Sequence, residues 1–186
     1  MRLEEWVADV IAAIVQAAEL GNGVIVVAHS QAGIPVRVAL EQVAAEVRHV
    51  VYLDAAVPEN GERGVDLNPP GSPAPPDDLN PALWLPARPV GTDQGFNDPA
   101  ATAFVNEQFV PTPIGPSLDP VMLASASAAS VPTTYVFFSK TPATYPCRLT
   151  QTRLEQSGTV YETIEAGHDA PLTAPEKVAE LLLALS

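Results

Sequence analysis

Two short apolar runs constrain this chain more than any other feature. Residues 24–28 (VIVVA) and 49–53 (HVVYL) are continuous rather than alternating. Runs of that length and kind mark strands covered on both faces. Between them, Val36, Leu40, Val43 and Val47 form one stripe of a helical pattern over residues 32–47. Pro35 fits its first turn, where the N–H groups have no intrahelical partner anyway. Strand, helix, strand in this order predicts a βαβ unit, with parallel strands and a right-handed crossover.

The flanking segments extend that unit. Over residues 3–19, Trp6, Val10 and Ile14 repeat at i+4, beside Val7, Ile11 and Val15. This predicts an amphipathic helix, with Glu4, Glu5 and Asp9 at the positive end of its dipole and Gly21-Asn22-Gly23 as its stop. Residues 133–139 (TTYVFFS) and 159–165 predict a third and a fourth strand, with a helix over 146–157 between them. Thr173-Ala174-Pro175-Glu176 reads as a capping box for a last helix striped by Val178, Leu181, Leu182 and Leu185. The expected fold class is α/β: an open parallel sheet of about four strands flanked by helices.

Residues 58–132 break the pattern. They hold 15 of the 20 prolines, which excludes a core helix or a central strand there. A helical pattern returns only over 98–109. Trp84, Phe96, Phe104 and Phe109 argue against a disordered linker, so the segment is expected to be a Pro-rich lid insertion.

Composition removes several function classes. The formal net charge is −13 and the nine basic residues are scattered, so neither nucleic acid nor an anionic membrane is an expected partner. No apolar run approaches the roughly 20 residues of a membrane span. Acids interrupt the N-terminus at once, unlike a signal peptide, and the lone Cys147 suggests a reducing compartment, so a cytoplasmic location is expected. Cys147 has no Cys or His near it in sequence to form a metal site. No phosphate-cradling glycine loop, metal-ligand spacing or dinucleotide fingerprint occurs, so neither cofactor nor metal is expected.

Ser30 stands where the first predicted strand meets the following helix, at the sheet edge where open α/β sheets bind ligands. Ala28 and Ala32 are the small residues that a sharp turn around it needs, and the Gln31 N–H would point at a developing oxyanion. "VVAHSQAG" resembles the nucleophile elbow of the α/β-hydrolase family, with alanines in place of the two glycines of G-x-S-x-G. "HVVYLDAAVPENGE" and "IEAGHDAPLTAPEKVAELL" are similar to the lid lead-in and the C-terminal segment of its small esterase-like branch. The resemblance runs from Leu3 onward. It implies residues 1–57 as the nucleophile half of the core, 58–132 as the lid, and 133–186 as the half carrying the catalytic histidine.

The resemblance further implies Ser30 as nucleophile and His168 as general base. The family's usual acid position, past Ser139, is vacant, since residues 121–154 contain no Asp or Glu. Asp54, at the end of the second strand, is the substitute, and its other reading is an anchor for the lid entry. His29 is expected to be packing and His49 simply to begin a strand. Trp84, Leu85 and Phe96 are expected to line an apolar substrate pocket. The implied activity is cleavage of a small carboxylic ester or related acyl compound by a serine hydrolase.

The family's front strands and His-Gly loop are not found. The first strand is therefore expected at a sheet edge, covered by a second copy of the chain or by a separate N-terminal half. The alternative function is a truncated, inactive homologue acting as a binding protein. A lyase reading needs a lid lysine, and Lys140 is the first lysine in the chain.

Overall fold

The computed structural model describes the chain except Asn22, Pro70, Ala74, Asp77, Ser186 and the side chain of Asp93. The predicted stop at Asn22 thus lies outside the described residues. Helix α1 (Leu3–Ala18) leads into strand β1 (Val24–His29), helix α2 (Gly33–Val43) and strand β2 (Val47–Leu53). After β2 come the short strands β3 (Trp84–Leu85) and β4 (Thr112–Pro113), with helix α3 (Pro99–Gln108) between them in sequence. Helix α4 (Ala126–Ala129), strand β5 (Thr133–Phe138), helix α5 (Cys147–Ser157), strand β6 (Glu162–Ile164) and helices α6 (Ala170–Thr173) and α7 (Pro175–Ala184) complete the chain. The main sheet is parallel, in the order β1-β2-β5-β6. β3 and β4 pair antiparallel outside it. None of the helices among the described residues is long and apolar enough to cross a membrane.

Alternation along β2 builds both layers. Val50 and Tyr52 pack with Ile14, Val36, Leu40 and Val43 on one face. Val51 and Leu53 pack with Val136, Phe138, Ala166 and Val178 on the other. Each such side chain fully buried is worth about 1.5–3 kcal/mol. These layers fix the carboxyl ends of β1 and β2 side by side, with Ala28 opposite Tyr52 and His29 opposite Leu53.

Four expectations are corrected. β1 is not covered on both faces: as the edge strand it leaves Val27 42% exposed. α2 ends at Val43 rather than at 47, because the Glu46 and Val47 amides turn back to the Val43 and Ala44 carbonyls and free Val47 to pair with Val24. β6 starts at Glu162 rather than 159, because left-handed Gly158 (φ +70°) caps α5 and the Thr159 amide bonds back to Leu154. The capping box does not form: Thr173 closes the short α6, its hydroxyl donating to the Asp169 carbonyl, and Ala174 precedes Pro175 at the start of α7 with no side-chain cap. On α1 the buried residues are Leu3, Val7 and Ile14, while Val15 is exposed.

Tyr52 and Leu40 share one layer and give opposite predictions. The Tyr52 hydroxyl is buried with no hydrogen-bond partner among the described residues, so Tyr52→Phe is expected to leave stability unchanged or raise it by about 1 kcal/mol. Leu40 is 1% exposed, so Leu40→Ala is expected to lose about 2–5 kcal/mol. Urea unfolding of both variants checks the pair.

Candidate active site

β1 delivers its last residue, His29, in extended conformation, and the next residue reverses the chain. Ser30 takes φ +56°, and a single tight turn over Ser30–Ala32 runs directly into α2. Only one other non-glycine residue among those described has a positive φ, Asp54 at +47° after β2. Such a conformation costs about 1–3 kcal/mol and persists only where the surroundings enforce it. Here the enforcement is mutual. The Ala56 amide donates to the Ser30 carbonyl at 3.1 Å, and the Asp54 amide donates to Val136 at 2.7 Å. The need for a missing side chain falls on Gly33, where an added Cβ would stand 2.4 Å from the Ala56 carbonyl oxygen. The tightest approach thus lies three residues after the serine, and Ala32 occupies the position where the family pattern has glycine.

A chain of hydrogen bonds joins the two strained residues through His168. The Ser30 Oγ lies 2.7 Å from His168 Nε2, and His168 Nδ1 lies 2.6 Å from Asp54 Oδ2. Asp54 is fully buried. Its remaining capacity is filled by the Phe138 N–H at 3.1 Å and the Thr141 hydroxyl at 2.6 Å. Burial alone pushes its carboxyl up, but the bonds from His168, Thr141 and Phe138 outweigh burial and hold it below the usual range. The ionised carboxylate only accepts, so His168 donates from Nδ1 and accepts the Ser30 hydroxyl at Nε2.

Three side chains that the sequence did not single out support this arrangement. Thr141 comes from the very loop, after β5, where no acid occurs, and it serves Asp54 as a donor. Arg148 donates to the Phe138 carbonyl at 2.8 Å and also to that of Thr141, clamping the same loop. Tyr145 stands edge-on to His168, with ring centroids 4.6 Å apart. His29, expected to be packing, does more: its Nε2–H donates to the His168 carbonyl at 2.8 Å, and the rings lie 4.8 Å apart. Burial pushes its pKa down, so the ring is the neutral donor this bond needs. His49 is remote, bonded to Thr134.

Cys147 was expected to have no metal-binding neighbours. The fold brings it to Asp54 and His168, with ligand atoms within 4.8 Å of one another. Burial, reinforced by the Asp54 charge, pushes its thiol up to about 12. The thiolate is the ligand form, and the carboxylate and imidazole are already bonded to each other, so these three residues fit a hydrogen-bonded relay better than a metal centre.

A cavity of about 490 Å³ opens over Ser30 and His168 and is also lined by Gln31, Leu85, Arg88 and Cys147. Leu85 supplies an apolar part of this wall. Trp84 and Phe96 are not among the lining residues. Trp84 is adjacent to Leu85 in β3 and faces the other way, 54% exposed, while Phe96 is buried. The side-chain amide of Gln31 donates to Ser117 Oγ at 2.9 Å, which leaves its backbone N–H to follow the serine at the turn. A slightly larger cavity, about 510 Å³ between α1 and residues 119–122, contains no nucleophile and base together.

The model of the alpha/beta hydrolase family matches residues 2–181. Among solved structures, an extracellular alpha/beta-hydrolase from a Paenibacillus species, described as sharing homology with tobacco salicylic acid binding protein 2, superposes with a TM-score of 0.74 at 22% identity, covering 99% of this chain and 79% of that one. A pyrethroid hydrolase from Sphingobium faniae JZ-2 gives 0.70 at 17% identity, over 99% and 77%. The methylesterase MES16 from Arabidopsis gives 0.63 at 19%, over 88% and 70%. At these identities the likeness is one of fold. Comparison with curated protein sequences finds no significant match.

The buried carboxylate makes stability depend on pH. Its folded pKa lies below the ordinary 3.8, so its stabilisation is fully present above about pH 4 and is lost as pH falls through the lower folded value. Asp54→Asn is therefore expected to be less stable than the wild type by about 2–4 kcal/mol at pH 7, with the gap narrowing as pH falls through the lowered folded value. Urea unfolding at pH 7 and through an acid series checks this. A gap independent of pH contradicts it.

Proposed function

The chain belongs to the alpha/beta hydrolase family, and from that premise we propose that it is a serine hydrolase cleaving a small carboxylic ester or related acyl compound. The observation that carries the reading is the relay itself, with Ser30 Oγ 2.7 Å from His168 Nε2 and His168 Nδ1 2.6 Å from a buried carboxylate. A nucleophile, a base within reach of its proton and a third group orienting that base are the parts covalent acyl transfer requires. The names of two similar structures, a methylesterase and a pyrethroid hydrolase, are in keeping with this reading.

In this mechanism the Ser30 Oγ attacks the ester carbonyl while His168 Nε2 takes its proton. Asp54 stabilises the imidazolium that results. The Gln31 N–H donates to the oxyanion, a contribution of about 10²–10³ in rate for one such donor. Collapse breaks the bond to the alcohol, which leaves with the proton from His168. Water then attacks the acyl-Ser30, again with His168 as base, releasing the acid and restoring the serine.

Residues 58–132 belong to the proposal as the lid, because Leu85 and Arg88 from this segment wall the cavity over Ser30. A partner covering the β1 edge, a second copy or a separate N-terminal half, is proposed on the exposure of Val27. A cytoplasmic location is proposed on Cys147 being a free, buried thiol.

The test is turnover of short-chain esters. Ser30→Ala and His168→Ala are each expected to lower kcat by about 10⁴-fold or more, and Asp54→Asn by about 10⁴-fold. Wild-type protein that hydrolyses no ester, or variants as active as the wild type, would refute the proposal.

A further inference from the structure

The cavity over Ser30 does not end at Leu85. A second cavity, of about 380 Å³, shares Gln31, Gly64, Leu85, Arg88 and Ser117 with it and continues towards Phe109, Val110 and Pro113. The two adjoin along these five residues, with Ser30 lining the first lobe and an apolar wall the second. Arg88 lies at the junction.

Arg88 is the single arginine or lysine lining either lobe. Among the nine basic residues of the chain, Arg2, Arg63, Lys140 and Arg153 are ion-paired. Arg148 and Lys177 are bonded to backbone carbonyls. Arg37, Arg48 and Arg88 make no hydrogen bond or ion pair among the described residues, and of these three only Arg88 lines the cleft. The one acid lining the cleft, Asp54, has its oxygens taken by His168, Thr141 and Phe138. A net charge of −13 repels anions from the surface as a whole, so an exposed, unpaired cation on the wall of the cavity that holds Ser30 selects for a negative group there.

We infer that Arg88 is an anion-binding subsite of the cleft, so that the substrate class is an ester carrying a second, negatively charged group, such as a half-ester of a dicarboxylic acid. The inference rests on the hydrolase reading for the ester and on Arg88 alone for the charge. A guanidinium donates two parallel N–H bonds to a carboxylate in bidentate fashion. Leu85, Phe109, Val110 and Pro113 line the second lobe and would hold the chain between ester and carboxylate.

The test compares ester pairs in which one member carries a carboxylate where the other has a methyl group or a hydrogen, each pair read as a ratio so that intrinsic reactivity cancels between enzyme variants. On the acyl side the pair is monomethyl adipate and methyl hexanoate, and on the alcohol side it is 4-carboxyphenyl hexanoate and phenyl hexanoate. The ratio of kcat/KM, charged over neutral, is read for wild type, Arg88→Gln and Arg88→Lys. In at least one pair the ratio is expected to fall about tenfold in Arg88→Gln and to be partly restored in Arg88→Lys. That size lies between the few-fold of an exposed ion pair and the roughly hundredfold of a desolvated charge-assisted bond. The pair that responds tells which side of the ester bears the charge. A ratio unmoved by Arg88→Gln in both pairs overturns the inference, whereas a structural role would lower both members together. If wild type cleaves none of the four esters, the hydrolase reading falls, and calorimetry still decides the subsite. Monomethyl adipate is then expected to bind Ser30→Ala about tenfold more tightly than Ser30→Ala/Arg88→Gln, and equal binding overturns it.

Discussion

The hydrogen bond between a fully buried Asp54 and His168 is the constraint on which the rest of the structure depends. Taking a carboxylate out of water costs several kcal/mol unless its oxygens are filled. Three groups fill them, and each comes from a different place: His168 after β6, Thr141 after β5, and the Phe138 amide at the end of β5 itself. The parallel sheet is what brings these together, because β2, β5 and β6 lie side by side with their carboxyl ends aligned. The strain at Ser30 and Asp54 belongs to the same design. Both residues reverse the chain at the tips of neighbouring strands, and the Ala56 amide ties one reversal to the other. The sheet thus holds an acid, a base and a hydroxyl in line.

Much of the framework was legible from local pattern. The apolar runs of β1 and β2, the stripe of α2 and the TTYVFF run of β5 each signal their element within a few residues, so the four-stranded α/β sheet follows from periodicity and connection rules. What local pattern missed was decided by distant partners or by competing turns. Thr173 looked like a cap and was instead taken by the end of the preceding helical turn. Val47 looked helical until its pairing with Val24 claimed it.

The site shows the same division more sharply. Ser30 and His168 stand in recognisable surroundings, but the bond of His29 to the His168 carbonyl spans 139 residues and leaves no periodic trace. Cys147 had no ligand-type neighbour in sequence and two in space. Thr141 sits in a loop whose lack of acids was read as a vacancy, and that loop supplies a donor in place of a carboxylate. Trp84 and Leu85 could not be told apart by composition. Both are exposed in the two-residue strand β3, and only Leu85 lines the cavity that holds Ser30.

In the proposed function, chemistry and selection are housed in different parts of the chain. The edge of the sheet holds Ser30, His168 and Asp54, and the Pro-rich segment between β2 and β5 brings Leu85 and Arg88 to the same cavity, the usual division between a scaffold and the loops it positions. The claim at the centre of this division is that His168 makes Ser30 nucleophilic. Intact-mass analysis after incubation with a fluorophosphonate tests it most directly, independently of any substrate. A single adduct on the wild type, absent from both Ser30→Ala and His168→Ala, is the predicted result. An unlabelled wild type, or an adduct that survives either substitution, would contradict it.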